Sequence, residues 1–184
     1  MRGHIERGPF LLALLAALAL AGCLSGIGAG GAGAGTALAE DGAQSSGTVG
    51  NEHARVGDIW YLALPAPHNT SARPIEITRV AVDHVPAGIE LLGYGAYDLD
   101  DTEGLPLLTK KNGAHTPDFE KLRNYATKPV KVAAGTESDI FYLAEVRITA
   151  PPNDTLRECR FSYRQGGTAY TQTLGCEVEL KVAE

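Results

Sequence analysis

A chain of 184 residues has room for one domain and little more. Its formal charge of −6 argues against nucleic acid as a partner, because phosphate contacts need an excess of clustered Lys and Arg. The same acidity leaves no polybasic segment to hold the protein on a membrane by charge.

Arg2, His4 and Arg7 precede an apolar run from Pro9 to Ala21, which is followed by Gly22 and Cys23. The run is shorter than the ~20 residues a membrane-crossing helix needs, so it reads as the apolar part of a targeting segment. Leu20-Ala21-Gly22-Cys23 resembles the lipobox of bacterial lipoprotein signal peptides, with Leu three before the cysteine and small residues between. The resemblance covers roughly the first 24 residues. It implies that residues 1–22 are removed and that the Cys23 thiol carries a diacylglyceryl group. The remainder would then be held on the extracytoplasmic side, with the membrane as its partner through the anchor. Ala37-Leu38-Ala39 has the look of an ordinary secretory cleavage site but lies too far behind the apolar run.

Setting aside Arg2, Arg7 and Glu6 leaves 14 basic and 21 acidic side chains from Cys23 onward, a formal charge of −7. With Cys23 consumed by lipidation, Cys159 and Cys176 form an even pair in an oxidising compartment, where a disulfide is expected. Residues 23–50 are dominated by Gly, Ala, Ser and Thr without apolar periodicity, which predicts a flexible tether. The glycines between Ile27 and Gly33 follow no strand, so they are not a nucleotide-binding fingerprint.

Residues 51–184 read as the folded domain. Ile59 to Leu64 is almost wholly apolar and predicts a strand buried on both faces, with Trp60 in the core. His68 to Ala72 is turn chemistry. Ile75 to Val85 predicts a long strand whose apolar positions change phase near Thr78-Arg79, the mark of a bulge or a crossing between sheets. Pro86-Ala87-Gly88 turns the chain into a third strand, Ile89 to Tyr97. An acidic loop and a Lys111-Asn112-Gly113 turn follow. Thr116-Pro117-Asp118 predicts the start of a two-turn helix carrying Phe119, Leu122 and Ala126 on one side.

Pro129 to Ala133 and Ile140 to Thr149 are strands again, the latter placing Tyr142 on one face and Phe141 and Leu143 on the other. Two alternating segments flank Gly166-Gly167, which predicts a terminal β-hairpin. Placing Cys159 opposite Cys176 sets Phe161 opposite Leu174 on the buried face. Roughly seven short strands with one short helix in the middle make an all-β, immunoglobulin-like sandwich the expected fold. The stretches Arg73 to Thr78, Gly88 to Gly93 and Tyr163 to Gly167 with Tyr170 resemble small immunoglobulin-like modules of exported proteins in high-GC Gram-positive bacteria. That resemblance implies a fold and no functional residues.

Signatures of chemistry are sparse. G-x-S-x-G, S-x-x-K and H-E-x-x-H are absent, and a hydrolase would have to assemble a dispersed site from residues such as His84, His115 and Asp118. Copper delivery wants His, Met and free Cys, but His53, His68, His84 and His115 are scattered and the single Met is the initiator. Asp98, Asp100, Asp101 and Glu103 offer oxygen ligands for calcium, yet Glu103 stands where an EF-hand needs Gly. Phe141 and Leu143 would form an apolar docking patch if their face met solvent. No cofactor is implied. These features point to a non-catalytic, membrane-anchored module that binds an envelope protein or cell-wall component, with a metal-binding envelope lipoprotein as the alternative.

Overall fold

The computed structural model describes residues 31–40 and 48–183. The described chain is all-β, and its only helical piece is a single 3-10 turn at Asp100–Thr102. The strands, in chain order, are β1 (Gly33–Ala34), β2 (Thr48–Ala54), β3 (Ile59–Ala63), β4 (His68–Asn69), β5 (Ile75–His84) and β6 (Ile89–Asp98). They continue as β7 (Leu108–Lys110), β8 (Val130–Val132), β9 (Thr136–Glu137), β10 (Ile140–Ile148), β11 (Leu156–Gln165) and β12 (Thr168–Val182).

One sheet runs β1-β12-β11-β5-β8, with β2 also on β12; a second runs β6-β10-β3-β7; β4 and β9 form a small pair. The main core takes Ile75, Ile77, Val80 and Val82 from β5, and Phe161 and Tyr163 from β11. From the second sheet it takes Trp60, Leu62, Tyr142, Ala144, Val146 and Ile148. Period-2 alternation in β5, β10, β11 and β12 supplies these inward rows, as the sequence predicts.

The phase change in β5 is a bulge. Ser162 faces Arg79 and Tyr163 faces Ile77, so Thr78 is the extra residue and Ile77 and Val80 both reach the core.

The terminal hairpin and the Cys159–Cys176 disulfide form as expected, but their register differs from the sequence reading. Gly166 and Gly167 both have positive φ (56° and 87°) and make a two-residue turn that pairs Gln165 with Thr168. Counting outward from that turn brings Cys159 opposite Leu174 and Phe161 opposite Gln172. A register shift between Arg157 and Cys159 then carries Cys176 within reach of Cys159. The tight turn therefore dictates the pairing, and a bulge accommodates the disulfide. With a sequence separation of 17 between the cysteines, the cross-link contributes about 3 kcal/mol by the chain-entropy argument. Such a bond belongs to an oxidising, extracytoplasmic compartment.

Two further expectations are corrected. Residues 31–40 and 48–50 are not a free tether: β1 and β2 both lie parallel on β12. Between them Ala37 and Leu38 are buried in the main core. The backbone of Leu38 exchanges two hydrogen bonds with the side chain of buried Gln172. Its N–H donates to Oε1 at 3.0 Å and its carbonyl accepts from Nε2 at 2.7 Å. The Ala37 N–H donates to the Tyr163 hydroxyl at 3.0 Å. Any Cβ on Gly35 would run into the Tyr163 ring, so the small residues serve close approach as well as flexibility. The arm closes on the β4 side, where Ala39 N–H reaches the His68 carbonyl at 2.9 Å.

The predicted helix after Thr116 is a pair of turns. Phe119 N–H bonds to the Pro117 carbonyl and Lys121 N–H to the Asp118 carbonyl, both at 3.0 Å. Tertiary contacts override the local signal. Phe119 is drawn between Tyr61 and Tyr97, with ring centroids 4.8 and 4.7 Å away. Tyr125 N–H then bonds to the Ala96 carbonyl of β6 at 2.8 Å. A short helix has too few internal bonds to resist such pulls.

Candidate functional site

The candidate residues from sequence occupy separate places. Cys23 lies outside the described residues. Asp98 Oδ1 accepts from the Asp100 N–H at 3.1 Å, Asp100 and Asp101 sit in the 3-10 turn, and Glu103 caps it with a left-handed φ of 55°. Among the described residues no three His, Cys, Asp or Glu side chains come together to hold a metal ion. His84 pairs with Asp154 at 3.0 Å and Asp118 pairs with Lys121 at 2.6 Å, so these do not converge with His115 on one site.

Phe141 and Leu143 are the clearest correction. They are 0% and 1% exposed and belong to a second core with Tyr61, Tyr97 and Phe119. Leu99, Leu105 and Leu122 from the loops after β6 and around Phe119 close over them. The outer face of β10 is thus covered by chain, which explains why β3 is apolar on both sides.

The rim of this second core carries a closed ion network. Lys111 Nζ meets Glu120 at 2.6 Å and Glu145 at 3.3 Å and lies 6.0 Å from the Tyr61 ring. The bond to Glu120 holds its ammonium charged well past the ordinary lysine range. Burial raises the Tyr61, Tyr97 and Tyr142 hydroxyls, with Glu145 adding to the effect on Tyr61. These groups bind protons more tightly folded than unfolded. Their contribution to stability is therefore complete below pH of about 10 and is lost as pH rises through their folded values. Absorbance titration should show a subset of the seven tyrosines ionising late, together with loss of near-ultraviolet circular dichroism. A single ordinary tyrosine titration in an intact fold would contradict this arrangement.

A different surface has the properties of a binding site. Beyond Ile77, β5 has no strand among the described residues on the side away from β11, and its Val82 N–H donates instead to the Tyr94 hydroxyl of β6 at 2.7 Å. Beside this open edge is a cleft of about 280 Å³ lined by Ile77 to Val80, Tyr94, Ala126, Lys128 and Tyr142. Lys128 also lines an adjoining cleft of about 400 Å³ that runs from Arg123 to Lys131 and includes Ile140. Lys131 joins that to a third, of about 580 Å³, with Pro74, Glu76 and Arg164. The segment carrying Arg123 to Lys128 is fixed on β6 by Asn124, whose Oδ1 accepts from the N–H groups of Ala96 and Ala126 at 3.1 and 2.9 Å. The Arg123 guanidinium lies 4.6 Å from the Tyr125 ring centre, which orients it. The chemistry available here is cation-lined recognition over a tyrosine floor, with no nucleophile or base poised for catalysis among the lining residues.

Sequence reasoning passed over these bases because net charge hides a local cluster. One signal was present: Lys121, Arg123, Lys128 and Lys131 fall in a stretch with no acid between Glu120 and Glu137. No protein-family model matches this chain, and no curated protein or solved structure is similar to it.

Proposed function

We propose that the protein is a lipid-anchored, non-catalytic binding module of the cell envelope, with an immunoglobulin-like domain on the outer side of the membrane. The observation that carries the binding reading is the chain of three adjoining clefts along the β5–β8 edge, lined by cations and tyrosines and lacking a catalytic constellation. The lipobox-like Leu20-Ala21-Gly22-Cys23 supports the anchor, and the Cys159–Cys176 disulfide supports an extracytoplasmic address. Crossing of the chain between the two sheets at Val85–Gly88 supports the immunoglobulin-like assignment.

The anchor is tested by fractionation of cells producing the full chain. The wild-type protein should partition with membranes and need detergent for release, whereas Cys23→Ser should appear in the soluble or secreted fraction. Identical partitioning of the two would remove the anchor from the proposal.

A further inference from the structure

The charge distribution around the clefts is not that of an ordinary acidic surface. Among the described residues, Lys110, Lys111, Lys121, Arg147, Arg157, Arg160 and Lys181 each have a carboxylate within 4 Å. Arg55, Arg73, Arg79, Arg123, Lys128, Lys131 and Arg164 have none, although the chain from Cys23 carries 21 acids against 14 bases. Five of these seven, Arg79, Arg123, Lys128, Lys131 and Arg164, are the bases that line the three clefts. The single acid lining them is Glu76, which sits in register between Lys131 of β8 and Arg164 of β11. Chains with surplus carboxylates neutralise exposed bases easily, so five unpaired cations on one contiguous strip are a local excess set against the protein's own field.

We propose that this strip binds a linear anionic polymer, with phosphate or carboxylate groups carried on a glycan or polyol backbone. The proposal rests on the envelope-module reading above and adds the ligand class. The clefts join end to end through shared Lys128 and Lys131, which suits an extended chain better than a compact small molecule. Lys131 and Arg164 stand on strands separated by one other, a spacing of about 10 Å, so successive anionic groups of a polymer can meet successive cations. Arg79 and Arg123 offer planar forks for bidentate contact with phosphate or carboxylate, and the lysines add point charges. Half-buried Tyr94 and Tyr125 give the uncharged backbone of the polymer a surface to lie on. The acidic remainder of the domain would repel polyanions elsewhere and confine them to the strip.

Calorimetric titration of the purified full chain in detergent, with poly(glycerol phosphate) and with polygalacturonate, tests the assignment. Binding is expected to one or both at 50 mM salt, to weaken more than tenfold at 300 mM salt, and to be absent for neutral dextran. Lys128→Glu with Lys131→Glu should lower affinity at least tenfold. Lys110→Glu with Lys181→Glu, placed away from the clefts, should change it less than twofold. Equal losses in the two double variants, binding to neutral dextran, or no binding to either polymer would overturn the proposal. So would binding only to phosphatidylglycerol vesicles, which would reassign the strip to lipid headgroups. Preference between the two polymers identifies the anionic group. A protein that still partitions with membranes through Cys23 yet ignores both polymers loses the ligand assignment alone and keeps its anchor.

Discussion

Removing residues 31–40 from the chain is expected to destabilise the domain by on the order of 5 kcal/mol, comparable with the whole stability of many domains. Three losses act together. Leu38, 2% exposed, leaves the main core, and truncating such a buried leucine alone costs about 2–5 kcal/mol. Buried Gln172 loses its partners on both ends of the amide. The Tyr163 hydroxyl loses the Ala37 N–H. Each buried polar group left unpaired adds about 1–3 kcal/mol, and partial rehydration offsets some of it. Urea unfolding of the deletion and of Leu38→Ala, beside the wild type, measures the effect. A deletion with an unchanged midpoint would return the segment to the status of a spacer. Gln172→Leu in the deletion background should recover part of the loss, because it removes the unpaired amide while keeping the volume.

Phe141→Ala is expected to cost about 3–5 kcal/mol, the range for a fully buried phenylalanine. Its ring lies 6.3 Å from that of Tyr97 in the second core, and its neighbours are held from two sides by loops and by β3. Relaxation into the hole is therefore limited. On an exposed face the same change would move stability by about 0.5 kcal/mol or less. Thermal and urea unfolding separate the two cases without ambiguity. Phe119→Ala should follow in the same direction, since that ring plugs the gap between Tyr61 and Tyr97 from the loop side.

The longer strands of the two sheets, β2 apart, were legible. Alternation in Ile140 to Ile148 and in the terminal hairpin marks which side chains share a face, because successive side chains of a strand point oppositely whatever the fold around them. The phase change at Thr78 announced a bulge or a crossing between sheets for the same reason, and the pairing with β11 shows a bulge. Cysteine counting paired Cys159 with Cys176 without any geometry. Alternation does not say what covers the second face. Whether the face of Phe141 and Leu143 met solvent was left open by alternation, and the loops carrying Leu99, Leu105, Phe119 and Leu122 cover it.

Composition also misjudged the N-terminal arm. Gly33, Ala34 and Gly35 have almost nothing to bury, so their ordering comes from a partner, the backbone of β12 and the ring of Tyr163, which lie more than 120 residues away. The basic strip is the same kind of result. Arg79, Arg123, Lys128, Lys131 and Arg164 are spread along 86 positions and come together only where β5, β8 and β11 are stacked in order. Sequence by itself determined the strands β3, β5, β6, β8, β10, β11 and β12, their inward rows, the hairpin turn and the disulfide, because each depends on local backbone geometry or on counting. Tertiary structure alone decided the register at the cysteines, the covering of β10, the docking of the arm and the gathering of unpaired cations. Those depend on which distant surfaces meet, and pairwise contact across long loops leaves no periodic trace in the chain.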